Sequence, residues 1–395
     1  MTTWQAYNFW PQNQGDDSWY SGKSLYAGDI PNGHPLSWGK KVPDGNVDAE
    51  VQARKVSFNR PYFPDNGIYG TAGQFFIRGE YNMVRWLEKE RYDVTYTTDV
   101  DTDAATDLIN GPLSPGRHKV FLSVGHDEYW TWRMRDNIEK ARNRTTGPLN
   151  LGFFGGNAVH WQIRLENSSP GSSPGNGERR TIVAYKHLAR RTDINMNDPY
   201  YALGNHDTNY LTTDYWRDNK TGLGNLCPPP PFDNCFKDPE DELVGVMTDF
   251  SNVTGTGSFE FYAGGPPPLP PPVAWPTVGI TDTVTPILNI IGYEADRVFD
   301  ENIPNYSHRG SLSKIGDSRF TGVRRTRSHA VYYRIPNAGR VFGAGTISWS
   351  FALDQFGRNP DLGPVYIDHN APPDARAEIL TRNILACLSS GVGCD

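Results

Sequence analysis

The sequence predicts an α/β fold with a doubly wound, mostly parallel sheet, irregular Pro-rich insertions and a β-rich C-terminal part. The first observation is a pair of apolar runs, residues 120–124 and 149–154, each of which a glycine follows directly. The second is the helix-period stretch between them, residues 130–143, which completes a strand–helix–strand unit. The third is that strand-like and helix-like segments alternate upstream of this unit, a pattern typical of parallel sheets.

Each element follows from hydrophobic spacing. Met83, Val84 and Leu87 recur at helical spacing, whereas residues 287–293 form a short apolar run that indicates a buried element. The predicted strands are residues 55–58, 92–97, 120–124, 149–154, 329–333, 339–342 and 345–351, and the predicted helices are residues 80–90, 104–110, 130–143 and 376–389.

Two parts are expected along the chain. Residues 1–54 are rich in aromatic residues and turns, and we expect them to pack on the core. Residues 55–395 form one α/β domain with an insertion at about 190–290. The insertion contains CPPPPFDNC and GGPPPLPPPVAWP, and we expect such Pro-rich stretches to be extended surface segments because proline cannot donate to a β-ladder.

Composition excludes two classes of partner. The 395-residue chain has a formal net charge of −7, which argues against nucleic acid because phosphate binding needs a concentrated basic surface. No window approaches about 18 uninterrupted apolar residues, so we expect no membrane span.

The cysteines and glycosylation sequons favour an exported protein. Cys227 with Cys235 and Cys387 with Cys394 are closely spaced without a CxxC motif, which favours two local disulfides over a metal site. We therefore expect a secreted or periplasmic protein whose leader is absent from this sequence, with a cytoplasmic location as the alternative. N-glycosylation sequons begin at Asn143, Asn167, Asn219, Asn252 and Asn305.

Polar residues follow the first apolar run directly, in the order His126, Asp127, Glu128 and Tyr129. Because ligands of open α/β sheets bind outside the carboxyl ends of the strands, this turn is the predicted reactive site. It contains no Ser or Cys nucleophile, and neither GxGxxG nor GxxxxGK appears in the chain. A Ser/Cys hydrolase and a nucleotide cofactor are therefore not expected.

Metal-assisted chemistry fits these residues better. Carboxylates bind hard cations and a tyrosine phenolate can bind iron, although each such side chain can instead have a purely structural role. Asn157, after Gly155 and Gly156, offers an amide and backbone N–H groups to a developing oxyanion, or it only satisfies its own turn. The candidate metal donors are Tyr81, Asp99, Asp101, His126, Asp127, Glu128, Tyr129 and Glu294.

Several long segments resemble the C-terminal domain family of the large (beta) subunit of N,N-dimethylformamidase. They include KVSFNRPY, EYNMVRWLEKERYDVTYTTDVD, KVFLSVGHDEYW, LGFFGGNAVHWQIR, GYEADR and VFGAGTISWSFALD, and the likeness extends from residue 3 nearly to the last helix. The resemblance implies a glutamine-amidotransferase-like or flavodoxin-like fold. It also implies an amidohydrolase with one iron ion held by two tyrosines and a glutamate.

Matched by motif, Tyr81 and Tyr129 fall where the family has its tyrosine ligands. The third ligand is Glu294 of GYEADR or, as a rival, Asp214 of LTTDYW, which is an aspartate where the family pattern has glutamate. The resemblance implies His126 or Glu294 as general base, with Asn157 steadying the tetrahedral intermediate.

The sequence supports two functions. The first is an iron-dependent amidohydrolase that cleaves a C–N bond, other than a peptide bond, in a small amide. The second is a secreted, glycosylated scaffold or carbohydrate-contacting protein that keeps the fold without catalysis. A homo-oligomer or a larger assembly is compatible with both.

Overall fold

The computed structural model describes residues 2–6, 8, 24–25, 53–60, 76–105, 118–168, 179–190, 197–201, 210–216, 239–248, 257–262, 275–292, 295–298, 312–319, 327–356, 372–391 and 394. The chain forms two compact units. The first unit comprises Met1–Phe76, Tyr129–Trp132 and Trp161–Pro239, and the second comprises Ile77–Glu128, Arg133–His160 and Glu240–Asp395.

Helices and strands alternate only in part of the described chain. The helices are α1 (Thr2–Ala6), α2 (Tyr81–Lys89), α3 (Asp99–Ala104), α4 (Trp132–Arg142), α5 (Glu240–Val244) and α6 (Ala375–Ser390). The strands are β1 (Lys55–Ser57), β2 (Val120–Gly125), β3 (Tyr129–Thr131), β4 (Asn150–Gly155), β5 (Trp161–Glu166), β6 (Thr181–Val183), β7 (Gly257–Phe259), β8 (Ile287–Ile291), β9 (Ser313–Arg319), β10 (Arg327–Arg334) and β11 (Arg340–Gly343).

The first unit contains a four-stranded sheet in the order β1-β6-β5-β3. β6 pairs antiparallel with both β1 and β5, whereas β3 runs parallel to β5 with Tyr129 opposite Trp161. This sheet therefore fixes Tyr129 in register beside a buried tryptophan.

The second unit is built on a five-stranded sheet in the order β2-β4-β11-β10-β9. β2, β4 and β11 are parallel, whereas β10 is antiparallel to both β11 and β9. Every residue of β4 is buried, as its nearly continuous apolar sequence predicts for a central strand. A two-stranded antiparallel ribbon, β7 with β8, belongs to the same unit.

Helix α6 covers this sheet by packing on β2, β4 and β11. It begins where the Asp374 side chain accepts a hydrogen bond from the Arg376 N–H, and it ends at Gly391, which has a φ of 73°. Leu380, Ile384 and Leu388 recur at helical spacing and are all buried in the core with Phe154 and Phe342.

The structure confirms a mixed α/β fold with a β-rich C-terminal part. Its main sheet is mixed, because β10 and β9 add antiparallel strands to a parallel half. The doubly wound arrangement and the division at residue 54 with an insertion at about 190–290 stay predictions. Both Pro-rich sequences lie largely outside the described residues.

Three predicted elements differ from the structure. Residues 92–97 contain no strand, and residues 345–351 lead into a 3-10 helix at Trp349–Ala352. A helix not predicted from the sequence spans Asp99–Ala104, where Thr98 and Asp101 form a capping box and Ala105 caps the end in the left-handed region. The helix expected at 104–110 lies, from residue 106 onwards, outside the described residues. Residues 129–131 form a strand instead of the start of a helix.

The described residues include one of the two predicted disulfides. Cys387 and Cys394 form a disulfide, as their spacing predicted, whereas Cys227 and Cys235 lie outside the described residues. Within the described part of the chain, no helix has both the length and the apolar character that a membrane crossing needs.

Candidate active site

The ends of β2 and β4 are held against each other by two glycines. Gly125 has a φ of +76°, and a Cβ placed on Gly155 would lie 2.3 Å from the Gly125 carbonyl oxygen, so no larger residue fits there. The Gly156 N–H then donates to that same carbonyl over 3.2 Å. The polar residues after both strands are therefore brought to one point at the carboxyl edge of the sheet, the usual place for a ligand.

His126 and Glu128 form a buried pair at this edge. The His126 Nε2 lies 3.2 Å from the Glu128 Oε2, and the two side chains are 1% and 3% exposed. The His126 Nδ1 lies 3.3 Å from the Gly156 carbonyl oxygen, which can only accept. Since Nδ1 must carry a hydrogen, a neutral His126 has its lone pair on Nε2, where it can accept a proton. The Glu128 carboxylate beside Nε2 would stabilise the imidazolium that results, which is what a general acid–base pair needs.

Asn157 completes the cluster from the β4 side. Its Nδ2 donates to the Glu128 Oε1 over 3.3 Å, and the acceptor-only carboxylate identifies that atom as the nitrogen. Its Oδ1 is buried and has no hydrogen-bond partner among the residues that the structure describes. A buried amide oxygen without a partner is costly, so this atom is a candidate acceptor for a ligand hydrogen.

The backbone around Asn157 is strained. Asn157 and Val159 have φ values of 53° and 57°, and such a conformation is an outlier for a β-branched valine. Both oxygens of the buried Asp296 carboxylate accept from the Asn157 N–H, at 3.1 and 2.9 Å. The Asn157 backbone N–H therefore already has a partner, which leaves its side-chain amide as the group that an oxyanion could contact.

The Asn157 turn is tied to the His126 turn by backbone hydrogen bonds. The Val159 N–H donates to the Asp127 carbonyl and the His160 N–H to the Glu128 carbonyl, over 2.9 and 3.0 Å. A second buried pair follows, in which the His160 Nδ1 lies 3.1 Å from the Glu240 Oε1. Asp296, His160 and Glu240 were not singled out from the sequence. The first two lie in segments that carry the family resemblance, but Glu240 had no signal.

Three of the acidic candidate donors have structural partners. Asp127 accepts from the Ser123 hydroxyl over 2.7 Å. Asp101 accepts from the Thr98 hydroxyl and N–H in the capping box, and Asp99 is the first residue of the same helix. The two α3 residues therefore have the positions of helix-capping groups.

Tyr81 belongs to the second unit, where it is the first residue of α2. Its half-buried ring packs edge-on against Phe356 with the centroids 4.8 Å apart, and the Arg85 guanidinium lies 5.9 Å from its centroid. Tyr81 is therefore held by aromatic and cation–π contacts within its own unit.

Tyr129 belongs to the first unit and is fully buried. Its hydroxyl accepts a hydrogen bond from the Lys186 Nζ over 3.1 Å, and that Nζ also lies 4.7 Å from the centroid of Trp161. Lys186 is only 3% exposed and has a φ of 57°. Sequence reasoning missed this lysine. Its positive charge favours a negatively charged oxygen on Tyr129, the form in which a tyrosine binds iron.

Of the two candidates for the third metal ligand, the structure describes Asp214 but not Glu294. Asp214 is buried in the first unit, where its Oδ1 accepts from the Tyr215 N–H over 2.8 Å and its carbonyl accepts from the Gln162 N–H. Glu294 lies outside the described residues. Among the residues that the structure describes, no three His, Cys, Asp or Glu side chains converge to hold a metal ion.

Comparison with known proteins identifies one family. The family model described as N,N-dimethylformamidase beta subunit-like, C-terminal, matches residues 1–362. No curated protein matches the chain.

Proposed function

Because the chain belongs to the N,N-dimethylformamidase beta subunit-like, C-terminal family, we propose that it hydrolyses the C–N bond of a small amide. The observation that supports this reaction most directly is the buried cluster of His126, Glu128 and Asn157 at the carboxyl ends of β2 and β4. Histidine paired with a carboxylate can move protons, and an amide can bind a carbonyl or a water molecule.

The proposed reaction begins with a water molecule that donates one hydrogen to the Asn157 Oδ1. His126, in its neutral form, takes the other proton as the water oxygen bonds to the amide carbon. Glu128 stabilises the imidazolium that results, because its carboxylate lies 3.2 Å from the His126 Nε2.

The second half of the reaction reverses the proton transfer. The second hydrogen of the Asn157 Nδ2 stabilises the negative oxygen of the tetrahedral intermediate. As the C–N bond breaks, His126 returns its proton to the leaving nitrogen, and the products are an amine and a carboxylic acid. Glu294, the rival general base, stays a proposal from the motif match.

Iron is the proposed cofactor, on the basis of the motif match for Tyr81 and Tyr129. Bound iron would polarise the substrate carbonyl as a Lewis acid. The buried Lys186 beside the Tyr129 hydroxyl supports Tyr129 as one ligand, and Glu294 and Asp214 stay the two candidates for the carboxylate. Metal analysis of the purified protein, with the visible tyrosinate charge-transfer band as readout, tests this assignment.

The proposed compartment is extracellular or periplasmic. The Cys387–Cys394 disulfide is compatible with an oxidising compartment. Asn143 and Asn167 are exposed, so their sequons are accessible to a glycosylating enzyme. Secretion, glycosylation and an oligomeric assembly stay proposals.

Amine release from a panel of small amides tests the function. The panel begins with N,N-dimethylformamide and adds formamide, acetamide and N-methylacetamide, each with iron-loaded protein. We expect amine, or ammonia from formamide and acetamide, in an amount equal to the carboxylate from at least one amide. The absence of turnover on the whole panel would favour the non-catalytic scaffold.

A further inference from the structure

A cleft of about 370 Å³ lies in the second unit, away from the residues of the candidate active site. It is bounded by the last turn of α4, by α5 and by the β10–β11 turn at residues 335–338. Its size lies at the lower end of the range for small-molecule sites. The residues that carry the argument are Glu139, Arg142, Asn143 and Glu242.

Arg142 is the charged group that dominates this cleft. It is 6% exposed, and neutral groups hold its guanidinium, since Nε donates to the Asn143 Oδ1 over 3.0 Å and Nη1 to the Tyr333 hydroxyl over 3.2 Å. Among the described residues, no carboxylate lies within ion-pair distance of it. A buried guanidinium without a counter-charge is costly, and a ligand anion would relieve that cost.

Tyr333 does not supply the missing negative charge. Burial raises its pKa well above the ordinary value, so the phenol stays neutral. Its hydroxyl donates to the Leu243 carbonyl over 2.7 Å, which fixes the lone pair that faces Arg142. The Arg142 carbonyl also accepts from the Gly339 N–H over 2.7 Å. The guanidinium is therefore held in place before any ligand binds.

The opposite charge lines the same cleft. Glu139 is held by an ion pair with Arg135 at 2.8 Å, and the half-buried Glu242 lines the cleft from α5. A simple anion would meet these carboxylates as well as Arg142. A molecule with both charges avoids this repulsion, because its carboxylate can form a bidentate pair with the Arg142 guanidinium while its ammonium group faces the two carboxylates.

We propose that this cleft binds a small zwitterion of the amino-acid class, with its carboxylate on Arg142 and its ammonium group facing Glu242 and Glu139. The site is separate from the proposed amidase centre. Binding of the zwitterion there does not depend on whether the protein hydrolyses amides.

Binding to the full chain is measured by calorimetry and by ligand-observed NMR with three probes of similar size. L-alanine carries both charges, propionate only the carboxylate and ethylamine only the ammonium group. We expect saturable binding of alanine, weaker binding of propionate and none of ethylamine. Absence of saturable alanine binding, or equal affinities for alanine and propionate, would overturn the proposal.

Three variants locate the site. Arg142→Met should weaken alanine binding about tenfold or more, because a charged hydrogen-bonding partner is lost. Arg133→Met removes the same charge from an exposed position of α4 and should leave the affinity unchanged. Glu242→Gln leaves Arg142 in place and keeps the test valid if Arg142→Met does not fold. It should weaken alanine binding and leave propionate binding unchanged or stronger, and unchanged alanine affinity would contradict the site.

Discussion

The Lys186 Nζ donates a hydrogen bond to the Tyr129 hydroxyl over 3.1 Å, although both side chains are buried and are 57 residues apart in the chain. A buried ammonium group is costly unless it is paired and hydrogen-bonded. The pair therefore has to contribute to stability, to function or to both, and its energetic coupling can be measured.

A double-mutant cycle of Tyr129→Phe and Lys186→Met should give a coupling energy of about 1–2 kcal/mol in urea unfolding, because each single change removes one partner of a buried charged hydrogen bond. Lys55→Met is the control, since Lys55 is half-exposed in its ion pair with Glu166 and should change stability by no more than about 1 kcal/mol. Additive single effects would show that the pair is not coupled.

Gly155→Ala should destabilise the second unit by about 1–3 kcal/mol, because the added Cβ would meet the Gly125 carbonyl oxygen at 2.3 Å and has no room to move. Gly79→Ala is the control, because its nearest neighbour would lie at an ordinary 3.8 Å. Thermal unfolding of both variants checks the comparison. Equal melting temperatures would contradict the close approach of β2 and β4.

Asp296→Ala should expose the Asn157 N–H to faster hydrogen exchange and lower stability by about 1–3 kcal/mol, because a buried donor loses both of its carboxylate acceptors. Asp296→Asn keeps one acceptor oxygen and should show a smaller effect on both measurements. Asp136→Ala, which removes an exposed ion pair with Lys140, serves as the control. If hydrogen exchange at the Asn157 N–H has the same rate in all variants, its hydrogen bond to Asp296 is contradicted.

Tyr333 should make the protein less stable in alkali. Its folded pKa is raised above the reference value of 10.0, so its contribution is fully present below pH 10 and is lost as the pH rises towards the folded pKa. The free energy of unfolding should fall by about 1.4 kcal/mol per pH unit above pH 10 from this group alone. Urea unfolding between pH 9 and pH 11 measures the slope, which should be shallower in Tyr333→Phe. An identical slope in the two proteins would contradict the contribution of the buried Tyr333 phenol to stability.

The sequence pattern predicts the residues of the site that directly follow β2 and β4. The apolar runs became β2 and β4, and their parallel pairing places His126, Glu128 and Asn157 together because parallel strands end at one edge. The β3 strand was missed because residues 129–131 run directly into α4, so the helical period of the longer segment masked three β-forming residues.

The remaining members of the site come from distant parts of the chain. Asp296 reaches Asn157 across 139 residues, and Glu240 reaches His160 across 80. No periodicity encodes such contacts, because they depend on how loops are placed by the completed sheet. The orientation of Asn157 is of the same kind, since its left-handed backbone is held by the Asp296 carboxylate.

The most direct test of the proposed reaction is the rate of amine release from the best amide of the panel by wild-type protein and by Glu128→Gln. The substitution keeps the shape of the side chain but removes the charge that stabilises the His126 imidazolium. We expect a rate about 10²–10⁴-fold lower with unchanged iron content and fold, because general acid–base catalysis contributes that much. An equal rate in the two proteins would contradict the role of the His126–Glu128 pair.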